Sequence, residues 1–503
     1  MPGNSGGQRS RSWRRLVASV AQRPLLCVAV TFYWLWVNMG FQIPVVFRPV
    51  ALSSGLSVPS QLGPLLASVV AYFVISAWFA RSRTVFRSDA FLTAICMLMS
   101  VSSAFIVAWL TLTMAPSGPD GSMTVLHESM AGASMLLYAT GSLLFGASSA
   151  FLCIELQRIF GSLGSEHVLF HGSVAVLVSV SAILLLSFVP EPVQRAVFVL
   201  APLPIAPCLA RVRKGFTKQE LFARGRDAKL NVPYKLLVTA LLHGLSLGVL
   251  LGNPLFQSGD RTLLLCIVLS YAVAAVLILA AAISARLSFN SLMYQIGFPI
   301  IAVGLYLIAT ADGAALLGVC VQLTGFCFLH LVMWGACAFL IKRFDMPATW
   351  VIGTSTCLFM LGQLVGGIVS GAAVQLSGSS DLLDRVNVTM LLVMLGSALC
   401  MMSSHNLRTG WGLAKPDTQS GLDDAFGSAV SLLASDSGLT KREGVVLVQM
   451  ARGKNRQSIS EELCISKETA KSHMQNIYRK VGVHSQQELI GLLEERVRRV
   501  EDD

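Results

Sequence analysis

A set of polar and cationic side chains recurs at helical spacing between residues 467 and 481. One face holds Lys471, Ser472, Gln475 and Arg479, and Thr469, Asn476 and Lys480 flank it. Lysine, serine and glutamine side chains hydrogen-bond to base edges in the major groove, whereas threonine, asparagine, arginine and lysine side chains bind phosphates. The set therefore predicts contact with double-stranded DNA, and a merely solvated helix face is the alternative.

The opposite face of the same segment is apolar. Its members follow one another at i, i+4, i+7 and i+11, and they are Ala470, Met474, Ile477 and Val481. This spacing predicts an amphipathic helix, which Ser466 caps after a tight turn. Capping boxes at Thr440–Glu443 and Ser485–Glu488, and a cap at Asn455 or Ser458, predict three further short helices. Residues 438–503 are thus predicted to form a small four-helix domain.

The stretch from Leu439 to Leu493 resembles the LuxR-type helix-turn-helix domain of bacterial transcription regulators. The residues that carry the resemblance are Leu439 to Glu443, Val446, Leu447, Gly453, Ile459, Leu463, Ile465, Ser466, Thr469, Lys471, His473, Ile477, Lys480, Gly482, Val483, Glu488 and Leu489. The resemblance implies that Lys471, Ser472 and Gln475 face bases. It also implies that Thr469, Asn476 and Lys480 hold the DNA backbone. Ala470, Ser460 and Cys464 depart from the usual pattern without removing a DNA-facing charge.

The same resemblance implies a homodimer on DNA, formed through the fourth helix. An apolar edge for that contact is predicted from Leu489, Leu492, Leu493 and Val497. No phosphorylation domain of the receiver type precedes the DNA-binding domain, and apolar segments occupy its place.

Most of the chain is too apolar for a soluble protein. Of 503 residues, 54% are hydrophobic and 13% are charged, against roughly 25% charged in soluble proteins. Because a membrane span needs about 20 apolar residues, twelve spans are predicted in a lipid bilayer. They are residues 24–44, 61–80, 89–114, 129–153, 168–189, 193–210, 235–256, 262–284, 291–311, 314–341, 348–376 and 388–405.

The distribution of Lys and Arg predicts the orientation of these spans. With a cytoplasmic amino-terminus, the inside segments carry 20 Lys and Arg and the outside segments carry 4. Such a bias favours a bacterial cytoplasmic membrane protein with both termini in the cytoplasm. A DNA-binding domain at the carboxyl end must also lie in the cytoplasm, because that is where the DNA is.

The longest basic loop divides the spans six and six, which resembles the layout of the major facilitator superfamily of transporters. The superfamily's Gly-rich Asp-Arg signature is absent after the second span. The predicted fold class is all-α, with a twelve-helix bundle before the four-helix domain. The predicted organisation is a basic amino-terminus (1–23), helices 1–6 (24–210), a basic cytoplasmic loop (211–235), helices 7–12 (236–405), a linker (406–437) and the DNA-binding domain (438–503).

Polar residues are sparse inside the predicted spans. Asn38, His243, Gln322, His330 and Gln363 are the candidates for a ligand cavity, and single interhelical hydrogen bonds are the alternative for each. Gly362 and Gly366, and again Gly367 and Gly371, keep a four-residue spacing that predicts close helix approach.

Enzymatic chemistry is not predicted. No nucleophile–base pair or phosphate-binding loop stands out, and the eleven cysteines are scattered singly without metal-ligand spacing. We therefore expect no catalytic residue, no metal and no cofactor.

Two functions remain open. The first is a membrane-embedded one-component transcription regulator, in which the bundle senses a small-molecule ligand and controls the tethered DNA-binding domain. The alternative is a transporter of the major facilitator type that carries a regulatory DNA-binding tail.

Overall fold

The computed structural model describes most of the membrane region and part of the carboxyl-terminal region. The described residues are 22–42, 50–51, 57–58, 61–79, 88–113, 131–216, 221, 232–257, 261–283, 289–310, 313–343, 346–377, 381–401, 430, 432–451, 456, 459–460, 463, 466–486, 488–489 and 491–493. The chain divides into two compact units, Met1–Pro416 and Asp417–Asp503. Residues 1–21, most of the basic loop and residues 402–429 of the linker region lie outside the described residues.

Within the described residues, the first half of the membrane unit contains six helices. They are α1 (Pro24–Val37), α2 (Leu62–Phe79), α3 (Asp89–Thr113), α4 (Ala131–Leu163), α5 (Ser165–Leu186) and α6 (Glu191–Leu200, then Ile205–Arg213). A π-helical turn, Asn38–Gln42, extends α1. The break in α6 holds Pro202 and Pro204, which have no N–H to donate to a helix. A two-residue antiparallel ladder pairs Val50–Ala51 with Ser57–Val58.

The second half repeats this count. Its helices are α7 (Tyr234–Leu251), α8 (Arg261–Ile283), α9 (Phe298–Thr310, after a π-helical Ser291–Gly297), α10 (Ala315–Arg343), α11 (Ala348–Ser377) and α12 (Asp381–Met401). A short helix, Pro254–Gln257, follows α7. In the described part of the chain, ten helices are long and apolar enough to cross a membrane. Two more, in α1 and α2, are apolar but shorter, so all twelve predicted spans coincide with helices.

Two helix ends differ from the predicted spans. The fourth span was expected to end at residue 153, where charged residues begin, but α4 continues to Leu163. Its Glu155 is only 1% exposed and lies 2.6 Å from the guanidinium of Arg213 on α6. A paired charge can be buried. The end predicted from hydropathy therefore lies before the true end of α4. Helix α12 begins at Asp381 rather than 388, because acidic residues suit a helix amino-terminus.

Helix packing shows the predicted six-plus-six arrangement. Within the first half, α1 packs on α5, α2 on α4, and α3 on both α4 and α6. Within the second half, α7 packs on α11, α8 on α10, and α9 on both α10 and α12. Each contact therefore recurs six helices later. The halves meet where α5 packs on α8 and α2 packs on α11.

Glycines bring α7 and α11 into backbone contact. Gly244 and Gly248 of α7 face α11, and Gly362 and Gly366 of α11 face α7. A Cβ atom on any of these four would overlap a backbone carbonyl oxygen of the opposite helix. The close approach predicted for Gly362 and Gly366 is confirmed. Gly371 has open space where its Cβ would lie, so it makes no such contact.

The carboxyl-terminal unit has its own hydrophobic core. Its two longest described helices are α13 (Lys441–Ala451) and α14 (Lys467–Val481), and shorter helical pieces lie at 432–436, 459–460, 488–489 and 491–493. The predicted capping box opens α13, because the Thr440 N–H donates to Glu443 Oε2 at 2.8 Å. The buried core residues include Val446, Leu447, Met450, Ile459, Ala470, Ile477 and Leu489.

A helical turn upstream of α13, which we call the tether segment (residues 430 and 432–436), belongs to this core. Its Val430 and Leu433 are 4% and 2% exposed. The segment ends in a Schellman motif, in which the Leu439 N–H donates to the Ala434 carbonyl and Gly438 has a φ of +57°. Residues within the predicted linker therefore pack into the domain.

Candidate nucleic-acid interface and membrane cavity

Helix α14 is held in place at both ends and along its apolar stripe. The Ser466 Oγ accepts a hydrogen bond from the Thr469 N–H at 3.0 Å, which caps the amino-terminus as predicted. The carboxyl end stops at Gly482, which has a φ of +79° that suits glycine. Ala470 and Ile477 are fully buried, so they set the rotation of the helix about its axis. The predicted amphipathic helix is confirmed.

This rotation exposes the predicted DNA-facing side chains. Lys471, Ser472, Gln475 and Arg479 are all exposed and lie on the side of α14 away from the core. Together they present hydroxyl, amide and cationic groups. The arrangement has the donors and acceptors needed to contact bases and phosphates.

The flanking residues already make local hydrogen bonds. Thr469 is exposed, and its hydroxyl lies 2.7 Å from the Ser466 hydroxyl. Asn476 is half-buried, and its Oδ1 accepts a hydrogen bond from Arg479 at 3.1 Å. These bonds orient polar groups at the edges of the exposed face.

Lys480 differs from the other predicted contacts because its ammonium bonds to residues far from α14 in the sequence. Its Nζ lies 2.8 Å from Glu443 Oε2 and donates to the Gly438 carbonyl at 3.3 Å. Lys480 thus joins α14 to the start of α13 and to Gly438, which follows the tether segment. The capping box was predictable from local spacing, but this ion pair joins residues that are 37 positions apart.

The Glu443 carboxylate is unusually acidic. The hydrogen bond from Lys480, followed by that from the Thr440 N–H, lowers the pKa of Glu443 from 4.5 to about 2. A depressed carboxylate pKa stabilises the folded state above the ordinary pKa, and that stability is lost as the pH falls toward the folded value.

We therefore expect the free energy of unfolding of fragment 417–503 to fall as the pH decreases from 4.5 to 2. A Glu443→Gln variant keeps the capping hydrogen bonds. It has no carboxylate, so its side chain does not titrate over this pH range. Urea unfolding at a series of pH values should give a steeper decline for the wild type than for the variant. Parallel declines would show that the ion pair does not stabilise the fold.

Two of the four residues predicted to form an apolar edge on the fourth helix are buried in their own domain. Leu489 and Leu493 are 0% and 1% exposed because they pack into the core of their own domain. Leu492 is half-buried, and Val497 lies outside the described residues. Leucines at helical spacing predict an apolar edge, but Leu489 and Leu493 complete the small core instead.

A cavity lies between the two halves of the membrane bundle. Its walls come from α1, α2 and α4 of the first half and from α10 and α11 of the second. Of the five predicted cavity residues, His330 and Gln363 line it. His243 of α7 supports the wall, because its Nε2 lies 3.3 Å from His330 Nδ1.

The other two predicted residues lie elsewhere in the bundle. Asn38 donates to the Ser179 hydroxyl at 3.4 Å, and Gln322 donates to the Ser246 carbonyl at 2.9 Å. Both are interhelical hydrogen bonds, which was the alternative considered for them. Among the described residues, no three His, Cys, Asp or Glu side chains gather as metal ligands.

Aromatic side chains were missing from the predicted cavity. Tyr33, Trp34, Trp334 and Phe359 line it. In the sequence, the aromatic run Phe32–Trp36 in the first span could have indicated an aromatic wall. Aromatic residues are common in membrane spans, however, so the run alone does not predict a cavity. Their position in the cavity wall follows from ring contacts between Tyr33 and Trp34 of α1 and Trp334 of α10.

Comparison with known proteins yields one family match and several similar folds. Residues 437–493 match the family model described as bacterial regulatory proteins, luxR family. No curated protein sequence matches the chain.

Several solved transporter structures match this chain at low sequence identity and with TM-scores below 0.5. The proton:xylose symporter XylE, of the major facilitator superfamily, is 11% identical with a TM-score of 0.49, covering 81% of this chain and 99% of that one. A bacterial homologue of the iron transporter ferroportin is 14% identical with a TM-score of 0.48, covering 76% and 99%. The major facilitator transporter FucP is 12% identical with a TM-score of 0.48 over the same shares.

Proposed function

We propose that this chain, whose residues 437–493 form a LuxR-type helix-turn-helix domain in a multi-pass membrane protein, is a membrane-embedded one-component transcription regulator. The observation that carries the proposal is the exposed polar and cationic face of α14 on the same chain as twelve apolar helices. The role is non-enzymatic.

The proposal places both termini in the cytoplasm of a bacterium, with the bundle in the cytoplasmic membrane. The excess of Lys and Arg on one side of the bundle, 20 against 4, supports this orientation. DNA bound to the carboxyl-terminal domain then lies beside the membrane. A homodimer on DNA remains part of the proposal, with contacts other than Leu489 and Leu493.

The bundle is proposed as the sensor. A ligand controls the DNA-binding domain only if it binds one conformation of the bundle better than another. The cavity supports this role because residues of both halves of the bundle line it. Its signal reaches the carboxyl-terminal domain through residues 402–429.

We assign the individual DNA contacts from which side chains of α14 are exposed. Lys471, Ser472 and Gln475 face bases. Thr469, Asn476 and Arg479 hold phosphates at the edges of the interface. Lys480 is proposed as a positioning residue, because its ammonium already binds Glu443 and Gly438.

We expect Gln475→Ala to weaken binding to the preferred sequence by about 1–3 kcal/mol, because a base-edge contact is lost. Lys471→Ala should reduce the affinity for DNA by a larger factor at low salt than at high salt. The full chain in lipid nanodiscs would first select duplexes from a random library, and affinities would then be measured over a salt series.

Arg442→Ala is the matched control, since it removes one exposed positive charge from α13 instead of α14. Its affinity should stay close to that of the wild type. If the wild type selects no sequence and its binding does not respond to salt, the proposed function is wrong.

A transporter with a regulatory tail is the second candidate, and the cavity between the halves is the observation that favours it. Uptake by proteoliposomes that survives removal of residues 417–503 would support this candidate. Ligand-dependent DNA binding without uptake would support the first.

A further inference from the structure

Helices α8 and α10 pack side by side in the second half of the bundle, and a hydrogen bond fixes their register. The Thr324 hydroxyl of α10 donates to the Ser270 carbonyl of α8 at 3.3 Å. Because one membrane helix, α9, lies between them in the chain, α8 and α10 run in the same direction. One turn earlier, four residues before Ser270 and four before Thr324, stand Cys266 and Cys320. The packing therefore brings the two cysteines to the same level of the bundle.

The two thiol groups are in contact. The Cys320 thiol forms a hydrogen bond with the Cys266 thiol, and both residues are free cysteines. This pair could not be predicted from the spacing of cysteines in the sequence, because its members are as far apart as Ser270 and Thr324, 54 positions. A disulfide forms only between cysteines whose side chains face each other across a short distance, and this pair meets that condition.

The pair lies near one end of both helices and faces the apolar part of the membrane. Each cysteine is five residues beyond the first residue of its helix, which is about 7.5 Å along the helix axis. Both are partly exposed, and the neighbouring Leu265 and Leu317 are 54% and 57% exposed. Exposed leucines of a membrane helix contact lipid. A lipid-soluble molecule therefore reaches these thiols more readily than a charged, water-soluble one.

We propose that Cys266 and Cys320 are a redox-sensitive pair, which a lipid-soluble quinone oxidises to a disulfide. The sulfur–sulfur bond forms as both S–H bonds break. The two electrons and two protons pass to the two quinone oxygens, which gives a hydroquinone. A dithiol reductant restores both thiols by exchange. The inference goes beyond the proposed regulation of DNA binding and does not depend on it.

The disulfide would join two helices that contact the first half of the bundle. Helix α8 packs on α5, and α10 packs on both α4 and α5. A covalent bond near one end of α8 and α10 would prevent either helix from sliding past the other. Oxidation of the pair would therefore act on two of the surfaces at which the halves of the bundle meet.

The test uses the full chain in lipid nanodiscs, first reduced and then freed of reductant. Duroquinone is the probe, because all its ring positions are substituted and thiols cannot add to them. Oxidised glutathione is the charged, water-soluble comparison at the same concentration. Duroquinone should remove two of the eleven thiols, counted by maleimide labelling after denaturation, and mass spectrometry should find the peptides of Cys266 and Cys320 joined. Dithiothreitol should separate these peptides.

Three outcomes would overturn the proposal. In the first, duroquinone leaves the peptides of Cys266 and Cys320 separate. In the second, it joins other cysteines and leaves this pair reduced. In the third, oxidised glutathione joins this pair faster than duroquinone does, which would show that the oxidant reaches the thiols from water.

Variants assign the reaction to the pair. Cys266→Ser and Cys320→Ser each leave one thiol without its partner, so duroquinone should join no peptides in either variant. Cys400→Ser is the matched control, because Cys400 is an exposed cysteine on α12. The control should lose two thiols to duroquinone, as the wild type does. A loss of two thiols in Cys266→Ser or Cys320→Ser would contradict the assignment, and peptide mapping of the wild type decides the question if a variant does not fold.

The disulfide should also raise the unfolding temperature of the wild type, because it restricts the unfolded chain. Cys320→Ser should show no such rise, and an equal rise in that variant would contradict the proposal. The same samples would be tested with a selected DNA duplex. DNA binding without a Cys266–Cys320 disulfide defeats the redox pair alone. A disulfide without DNA binding defeats the proposed regulator and leaves the redox pair standing.

Discussion

Gly244→Ala is expected to disrupt the membrane bundle more than alanine at any other glycine that the structure describes. The new Cβ would overlap the carbonyl oxygen of Phe359 on α11, and a backbone carbonyl cannot move aside as a side chain does. Because Gly362 packs in the same way against the Leu241 carbonyl, both helices would have to separate. Overpacking at a site with this little freedom should cost more than about 3 kcal/mol.

Gly371→Ala is the matched control for this substitution. It adds the same methyl group to the helix that Gly244 contacts, at a position with nothing within 4 Å. Alanine there should be neutral or stabilise α11 by about 0.5–1 kcal/mol, because glycine is a poor helix former. Thermal unfolding in detergent, followed by size-exclusion chromatography, would compare the two variants. Similar unfolding temperatures would show that α7 and α11 are not packed backbone to backbone.

The glycine contacts show which features of helix packing can be predicted from local sequence patterns. The spacing of Gly362 and Gly366 predicted a close approach, but it did not identify α7 as the partner. That identity depends on Gly244 and Gly248, which lie more than a hundred positions upstream. Span positions were predictable because hydropathy is a property of consecutive residues. Helix pairing was not, because it depends on surfaces distant in sequence.

The exposed face of α14 and the membrane cavity could likewise be predicted from local sequence only in part. Capping and the apolar stripe placed Lys471, Ser472 and Gln475 on one exposed face, since both patterns lie within 16 residues. The partner of Lys480 could not be predicted, because Glu443 reaches it only through the packing of α13 on α14. In the bundle, polarity identified His330 and Gln363. It missed the aromatic walls, because aromatic residues are ordinary in any span.

Leu433→Asp is expected to unfold the carboxyl-terminal unit, although residue 433 lies upstream of the family match at 437–493. Leu433 is 2% exposed and packs into the same core as α13 and α14. An unpaired carboxylate there should cost about 3–5 kcal/mol, which is a large share of the ~5–15 kcal/mol that stabilises a domain. Urea unfolding of fragment 417–503 would measure the loss, and DNA binding by the full chain should fall with it.

Leu432→Asp provides the control, because Leu432 lies in the same helical turn and is 51% exposed. It introduces the same charge at the neighbouring position. A general effect of the added charge would therefore appear in both variants, whereas an effect of lost packing would appear only in Leu433→Asp. Only Leu439 lies between Gly438 and the Thr440 cap of α13, and Lys480 of α14 bonds to the Gly438 carbonyl. A displacement of the tether segment would therefore act on α14 through Gly438 and Lys480. If Leu433→Asp unfolds no more easily than Leu432→Asp, the tether segment is not part of the domain and cannot transmit a signal from the bundle.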